Sequence, residues 1–443
     1  MSGTNGTRRS DVVVIGGGLA GMTAAAYAAR AGATVTVLEA RHSAGGRARS
    51  TTDGHGVVLN QGAHALYRHG GGWDVLTGLG IRPRGGRPPT SGMGWTDGEL
   101  RPFPTSPAGV TAGLFHLDTT PLLAAVVAAR TGDLNGRSTQ EWIDDHTRND
   151  HTRGLAAGLC RVASYAPPHT LCADAGVRQM RRGLRGVRYL DGGWQQLVDA
   201  LSLVLDAAGV IRILDAKVTA VDTDGSGWSA RTADATFASG AVVIAGTGPA
   251  TAIDVLTGAG LDAPAGWAQE VPAKAAVFDI ALRRLPRPRH RFVMGLDQPL
   301  YQSTHTPTAR LAPEGVEVIH SMRYLSVEEE LDAERDRREM EQLLDVSQPG
   351  WREELISERY LRNQLVSGGV PTAPLGLRGR QAIAVADHAG LFVAGDWVGS
   401  AALLGDAALT SGRAAGLAAA MASTSTSIGS DADAAVRAAM LTS

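Results

Sequence analysis

The chain has 443 residues, 42 Lys+Arg against 44 Asp+Glu, a net charge of −2, and 44% apolar side chains. That length predicts two domains rather than one, and the near-neutral balance, without a long basic block, excludes an electrostatic nucleic-acid binder. The two cysteines, Cys160 and Cys172, are too few for a thiolate metal centre. The expectation is no metal, reduced thiols and a cytoplasmic protein.

Residues 1–10 are polar and read as a disordered N-terminus. Their Arg8-Arg9 pair imitates a twin-arginine leader, but the apolar run behind it is already taken up by a strand. Residues 11–15 (DVVVI) have the β-branched character of a buried parallel strand. Gly16, Gly18 and Gly21 follow in G-x-G-x-x-G spacing, residues 19–30 read as an Ala-rich helix stopped by Gly32, and residues 34–38 form a second strand ending in Glu39. Each position has a physical reason. Gly16 permits the tight strand-to-helix turn, and Gly18 lets backbone approach a pyrophosphate at the helix N-terminus. Gly21 allows close packing of helix on strand. Glu39, 23 residues after Gly16, is placed to accept hydrogen bonds from a ribose diol. The unit predicts a dinucleotide site.

Two further segments are specific in combination. Gly45-Gly46-Arg47-Ala48-Arg49 begins six residues after Glu39. Far downstream, Gly390-Leu-Phe-Val-Ala-Gly395-Asp396 precedes a Gly/Ala-rich helix through Gly412 and Gly416. In this order they resemble the amine oxidase, phytoene desaturase and protoporphyrinogen oxidase superfamily of FAD-dependent flavoproteins, most of all its bacterial phytoene-desaturase-like branch. The resemblance runs from about residue 10 to 422. It implies an α/β fold (α+β overall): a Rossmann-like FAD-binding domain assembled from segments 11–85, 190–265 and 376–422, with a mixed sheet-and-helix substrate domain from 86–189 and 266–375. It also implies FAD contacts from Glu39, Ala40 and Arg41, from Gly46 and Arg47, and from Gly62 and Ala63 beside the ring. Val218 would lie near the adenine, Gly395 and Asp396 at the ribityl–phosphate region, and Leu404 at the closing helix.

Between these segments, residues 85–104 are rich in Gly and Pro and read as the crossing into the second domain. The apolar part of 110–130 is too short to span a bilayer, so there is no transmembrane segment; a cap helix is favoured, with peripheral membrane contact as the alternative. Helical patterns include 139–146. The basic run 178–188 reads as a solvated face or ion-pair surface, or alternatively as a contact for a phosphate-bearing substrate. Residues 192–208 form an amphipathic helix returning to the first domain; strands follow at 211–214, 216–222 and 237–245. Residues 271–285 and 304–325 carry strand patterns, 328–344 is a charged helix, and 423–443 is a flexible tail. No second G-x-G-x-x-G follows, so no separate NAD(P)H-binding domain is expected.

For catalysis, Lys274 matches by resemblance the lysine that amine oxidases hold below the flavin through a bound water; an ordinary surface lysine is the alternative. His64 is either an acid/base beside the ring or a structural histidine bonded to backbone. Two departures weigh against an amine oxidase proper. The aromatic-cage tyrosine has its counterpart near Leu403, within Ala401-Ala402-Leu403-Leu404. Trp397-Val398-Gly399-Ser400 stands where the family's flavin-attachment cysteine would be, which predicts noncovalent FAD. The apolar wall suits an alkyl or polycyclic substrate, with His305 and Tyr324 as polar anchors. The expected activity is hydride removal from a lipophilic small molecule by C–C or C–N desaturation or oxidation, on a polyene, terpenoid or secondary-metabolite intermediate. Oxygen or a quinone would be the electron acceptor, and the protein a monomer or homodimer. A redox-neutral flavin-dependent isomerase or cyclase, and an amine or amide oxidase using oxygen, are the alternatives.

Overall fold

The β-branched run near the start of the chain forms the strand Arg8–Ile15, whose Val12, Val13 and Val14 are wholly buried. The structure is a computed structural model that describes residues 7–89, 91–104, 126–127, 134, 136–246 and 248–440. The strand begins three residues before the apolar pattern does, because parallel pairing with Phe237 and its successors starts at Arg8; ladder hydrogen bonds do not require apolar side chains. The expected disorder therefore does not extend over residues 8–10, and residues 1–6 lie outside the described residues.

Among the described residues, seven strands make the first sheet. Arg8–Ile15, Val35–Leu38, Ile211–Ile213, Thr236–Ile244 and Leu391–Val393 run parallel, and Trp228–Arg231 and Ala220–Thr223 extend the edge antiparallel. The two-residue period divides the core. Val12, Val14, Val35 and Val37 face the helices Leu19–Arg30 and Gln195–Ala207 and the final helix; Val13, Ile15, Leu38 and Val242 face Trp228, Trp267 and the helix Pro249–Thr257. The final helix, Leu404–Met440, lies against Leu19–Arg30, and it continues well past residue 423, where the sequence predicts a tail. A Cβ on Gly412 or Gly416 would collide with the carbonyl oxygens of Ala20 and Ala24, so these glycines set how closely the two helices approach.

The second sheet is ordered Leu355–Val370, Val271–Leu282, Glu317–Leu325, Leu300–Thr304, Phe292–Gly295, Ser91–Thr96 and Glu99–Pro104. The helix Ala333–Ser347 covers one face. It starts later than the charge pattern suggests, because the Asp332 side chain accepts a hydrogen bond from Arg335 N and caps it there. The helices Thr139–His146, Asp150–Ser164 and Ala173–Leu184 form a lobe beside this sheet, the first opened by a Ser138–Glu141 capping box. The basic run 178–188 keeps an ion pair, Arg178 to Asp174, and an exposed Arg185, but its other arginines bind backbone. Arg181 donates to Val126 O, Arg182 to Ala401 O and Arg188 to Pro83 O, so the run stitches separate segments together. The cap helix expected over 110–130 lies outside the described residues, apart from Val126 and Val127. Among the described residues no helix is long and apolar enough to cross a membrane.

Gly412→Ala and Gly416→Ala should each destabilise the protein by about 1–3 kcal/mol through forced separation of two packed helices. Chemical denaturation of the variants checks this; midpoints equal to the wild type would show that the helices have slack.

Candidate active site

A cavity of about 400 Å³ opens at the carboxyl ends of the parallel strands and extends to the second sheet, the position that open α/β sheets offer to ligands. Its first part is built from glycines. Gly16, at φ 107°, would place a Cβ 2.5 Å from Ala245 O, so no other residue makes that turn. Gly21 does not line the cavity; a Cβ there would collide with Gly16 O, which is the close helix-on-strand packing predicted for it. Gly18 differs from both. It lines the cavity, yet a Cβ on it would meet no protein atom within 4 Å. The space beside it is open, at the N-terminus of the helix Leu19–Arg30, where unpaired N–H groups favour a phosphate.

Glu39 is buried at the end of its strand. Its Oε2 accepts from Gly17 N at 2.6 Å and its Oε1 from Arg41 N at 2.9 Å. That leaves each oxygen a further lone pair for a hydroxyl donor. Ala216 N donates to Glu39 O, which brings Lys217 and Val218 to the same wall as Ala40 and Arg41. The fingerprint, Glu39 and the space at Gly18 together fit a dinucleotide.

Arg47 and Asp396 meet next along the wall. Arg47 Nη1 donates to Asp396 Oδ2 at 2.7 Å and to Val366 O at 2.6 Å, and Asp396 also accepts from Gly368 N at 3.2 Å. Burial opposes the Arg47 charge, and the neighbouring Asp396 carboxylate more than offsets it, holding the guanidinium ionised. Arg380, itself buried, donates to Asp396 O and to Ala402 O, which holds the start of the final helix to the same centre. Gly46 and Gly395 lie beside this pair on the lining.

The remaining wall is formed by the loop 61–65, Tyr165, Trp194, Val277, Met322, Leu365 and the first turn of the final helix. Gly62, at φ 102°, places a Cβ position 3.5 Å from Val277, so this loop lies directly on the second sheet, and Ala63 O accepts from Tyr165 Oη at 2.6 Å. His64 Nδ1 bonds Gly62 O at 2.8 Å and its ring packs edge-on to Trp194 at 4.9 Å. Burial pushes its pKa down to about 4, so near neutral pH the ring is uncharged. Leu404 lines the cavity at φ 56°, a left-handed conformation unfavourable for leucine by about 1–2 kcal/mol.

The predicted cofactor residues thus converge on one cavity, with Gly21 packed behind it. Four other predictions do not reach it. Lys274 is half-buried in the strand Val271–Leu282, paired with Leu325 and Leu365. Strand alternation puts it on the face of Ala276 and Phe278, opposite the cavity-lining Val277. Leu403 is buried against Leu171 and Cys172, and its neighbour Leu404 takes the lining position. Tyr324 lies behind Tyr165, ring to ring at 6.0 Å. His305 is buried in a stack on Tyr189 at 3.7 Å. Sequence reasoning missed Trp194, Val277, Met322 and Asp406. For Val277 a signal existed: a strand with Lys274 on one face presents 275 and 277 on the other.

Asp406 joins the closing helix to the helix Gly71–Gly78. Its carboxylate lies on Gly70 and Gly72, where a Cβ would overlap it, while a Cβ on Gly71 would meet Thr410. Burial pushes its pKa up to about 6, against the pull of Arg182.

Residues 14–77 match the family model of NAD(P)-binding Rossmann-like domains. A search of curated proteins finds no match. Among solved structures, an oxidoreductase from Methanosarcina mazei superposes with a TM-score of 0.73 at 19% identity, covering 90% of this chain and 98% of that one. Putrescine oxidase bound to putrescine gives 0.70 at 18% identity, with 93% and 99% covered. Cyclohexylamine oxidase from Brevibacterium oxydans gives 0.65 at 18%, again with 93% and 99% covered. The chain has the fold of these oxidoreductases. In that fold the glycine fingerprint and the Arg47–Asp396 pair, far apart in sequence, lie on one wall.

The raised pKa of Asp406 has a definite sign. The folded state holds this proton more tightly than the unfolded chain, whose aspartates titrate near 3.9. The stability it contributes is full below that value and is lost as pH rises through about 6. Asp406→Asn should therefore be more stable than wild type at pH 8, by up to about 3 kcal/mol, with the difference vanishing near pH 4. Denaturant unfolding at both pH values tests this, and a difference independent of pH would contradict it.

Proposed function

We propose that this protein is an FAD-dependent oxidoreductase that removes hydride from a C–C or C–N bond of a lipophilic small molecule, a polyene, terpenoid or secondary-metabolite intermediate. The observation that carries the reading is the union, in one cavity, of a dinucleotide cradle with an apolar wall. Glu39 and the open side of Gly18 belong to the first, and Val277, Met322 and Leu365 to the second. In this reading Glu39 accepts the ribose hydroxyls and the N–H groups after Gly18 hold the pyrophosphate. Arg47 and Asp396 hold the ribityl–phosphate region, and Val218 packs on the adenine.

Bound FAD supplies the two-electron acceptor. The chain itself excludes water with Val277, Met322 and Leu365, and fixes the substrate by shape against Tyr165 and Trp194. Oxygen or a quinone completes the cycle. Noncovalent binding is supported by the cysteines. Neither lines the cavity, and burial pushes the Cys160 thiol up to about 11, far from a reactive thiolate.

Amine oxidation is the second reading, favoured by the likeness to putrescine oxidase and cyclohexylamine oxidase. Three features of this chain weigh against that reading. Asp396 is committed to Arg47, the Asp406 oxygens are enclosed against Gly70 and Gly72, and Lys274 points away from the cavity.

An absorbance spectrum of the purified protein, repeated on the supernatant after acid precipitation, tests the reading. Flavin bands should pass into the supernatant, and anaerobic substrate should bleach them in the intact protein. Glu39→Ala should lower FAD affinity at least tenfold. A protein that stays colourless after FAD is added would overturn the proposal.

A further inference from the structure

We propose that His64 is the hydrogen-bond acceptor that selects the substrate, and that the substrate is a neutral, largely apolar molecule carrying an O–H or N–H donor. This rests on the flavin reading of the cavity and specifies its substrate class.

The argument begins with the tautomer. His64 Nδ1 lies 2.8 Å from Gly62 O. A carbonyl oxygen only accepts, so Nδ1 carries the ring proton. The ring is neutral across the working range, with a pKa lowered to about 4 by burial, so Nε2 has a bare lone pair. The residue is half-buried, lines the cavity, and its Nε2 has no protein partner among the described residues. Contact with Trp194 at 4.9 Å fixes the ring orientation. A group held in this way accepts hydrogen bonds without reorganising, and leaving it unmatched in an apolar wall is unfavourable.

The surroundings define the rest of the ligand. Tyr67 Oη is spent on Ala163 O and Tyr165 Oη on Ala63 O, so both tyrosines present ring rather than hydroxyl. Val277 and Met322 add apolar surface. Of the carboxylates nearby, Asp396 is paired with Arg47, and the Asp406 oxygens, which have no hydrogen-bond partner among the described residues, are buried against Gly70 and Gly72, out of direct contact with a ligand cation. Gln61, on the same loop, also reaches the lining, and it is the rival for the same role.

Phenol and toluene have the same shape and differ by one donor. Titrated calorimetrically into the FAD-bound protein, phenol should bind about tenfold more tightly than toluene. The preference should be unchanged from pH 5.5 to 8, because the acceptor is already neutral. His64→Phe should abolish it while keeping the affinity for toluene, and Gln61→Leu should retain it. Equal binding of the two probes by the wild type would overturn the proposal. So would a preference that fades as pH falls through 6.5, or one that survives His64→Phe and is lost in Gln61→Leu. The wild-type comparison and its pH profile decide the matter even if a variant does not fold. A preparation that cannot retain FAD yet still prefers phenol would overturn the flavin reading alone. One that retains FAD without discriminating the probes would overturn this proposal alone.

Discussion

The Arg47–Asp396 ion pair is the point on which the cavity depends. Its partners are 349 residues apart in sequence and meet at 2.7 Å. Arg47 also binds the carbonyl of Val366, and Asp396 the N–H of Gly368, both in the long strand Leu355–Val370 of the second sheet. One pair thus joins the first βαβ unit, the segment before the final helix and the second sheet. As a stabilising interaction it has a modest net value, because desolvation of both ions opposes their attraction. As a positional constraint it is strong. The charges are compensated only in one arrangement, and that arrangement brings Gly46, Gly395 and Val366 to the same wall.

A second polar constraint lies beside the apolar wall, on the same face of the second sheet. His320 Nδ1 bonds Asp279 Oδ1 at 2.6 Å with both residues fully buried, and Arg359 takes the other Asp279 oxygen. Arg359 also donates to Asn60 O, immediately before the loop that carries Gln61 and His64. The three residues lie on three adjacent strands, so they lock the register of the sheet that presents Val277 and Met322, and they fasten the His64 loop to it. His64 is therefore held from two directions. Its own Nδ1 is bonded to Gly62, and its loop is anchored through Asn60.

What was legible in the sequence divides along the same line. Gly16, Gly18, Gly21 and Glu39 act through spacing within one strand–helix–strand unit, so short-range order is enough to assign them, and the structure sets them where that order implies. Asp396 was legible because its neighbours repeat a family pattern. Lys274 was not, because whether a strand residue faces a cavity depends on parity relative to a residue such as Val277. That parity is fixed by pairing with Leu325 and Leu365, both distant in the chain. Leu403 fails for a related reason. A one-residue change at a helix start, here marked by the left-handed Leu404, exchanges a core side chain for a lining one. The tyrosine wall could not be read at all, since Tyr67 and Tyr165 become lining residues only when their hydroxyls are bound by Ala163 O and Ala63 O.

The glycines show how fold and function can be separated within a single motif. Gly16 and Gly21 are explained completely by backbone atoms of the protein, Ala245 O for the first and Gly16 O for the second. Either would be required in any strand–turn–helix packed this tightly, with or without a ligand. Gly18 has no such explanation. Its missing side chain would clash with nothing in the protein, and a residue with lower conformational entropy cost would serve the turn as well. Because Gly18 also lines the cavity, the gap beside it can take another molecule. A phosphate at the adjacent helix N-terminus fits it, and Glu39 lies beside the same turn, bonded to Gly17 N. The case for a bound nucleotide therefore rests on the glycine that the fold itself does not need.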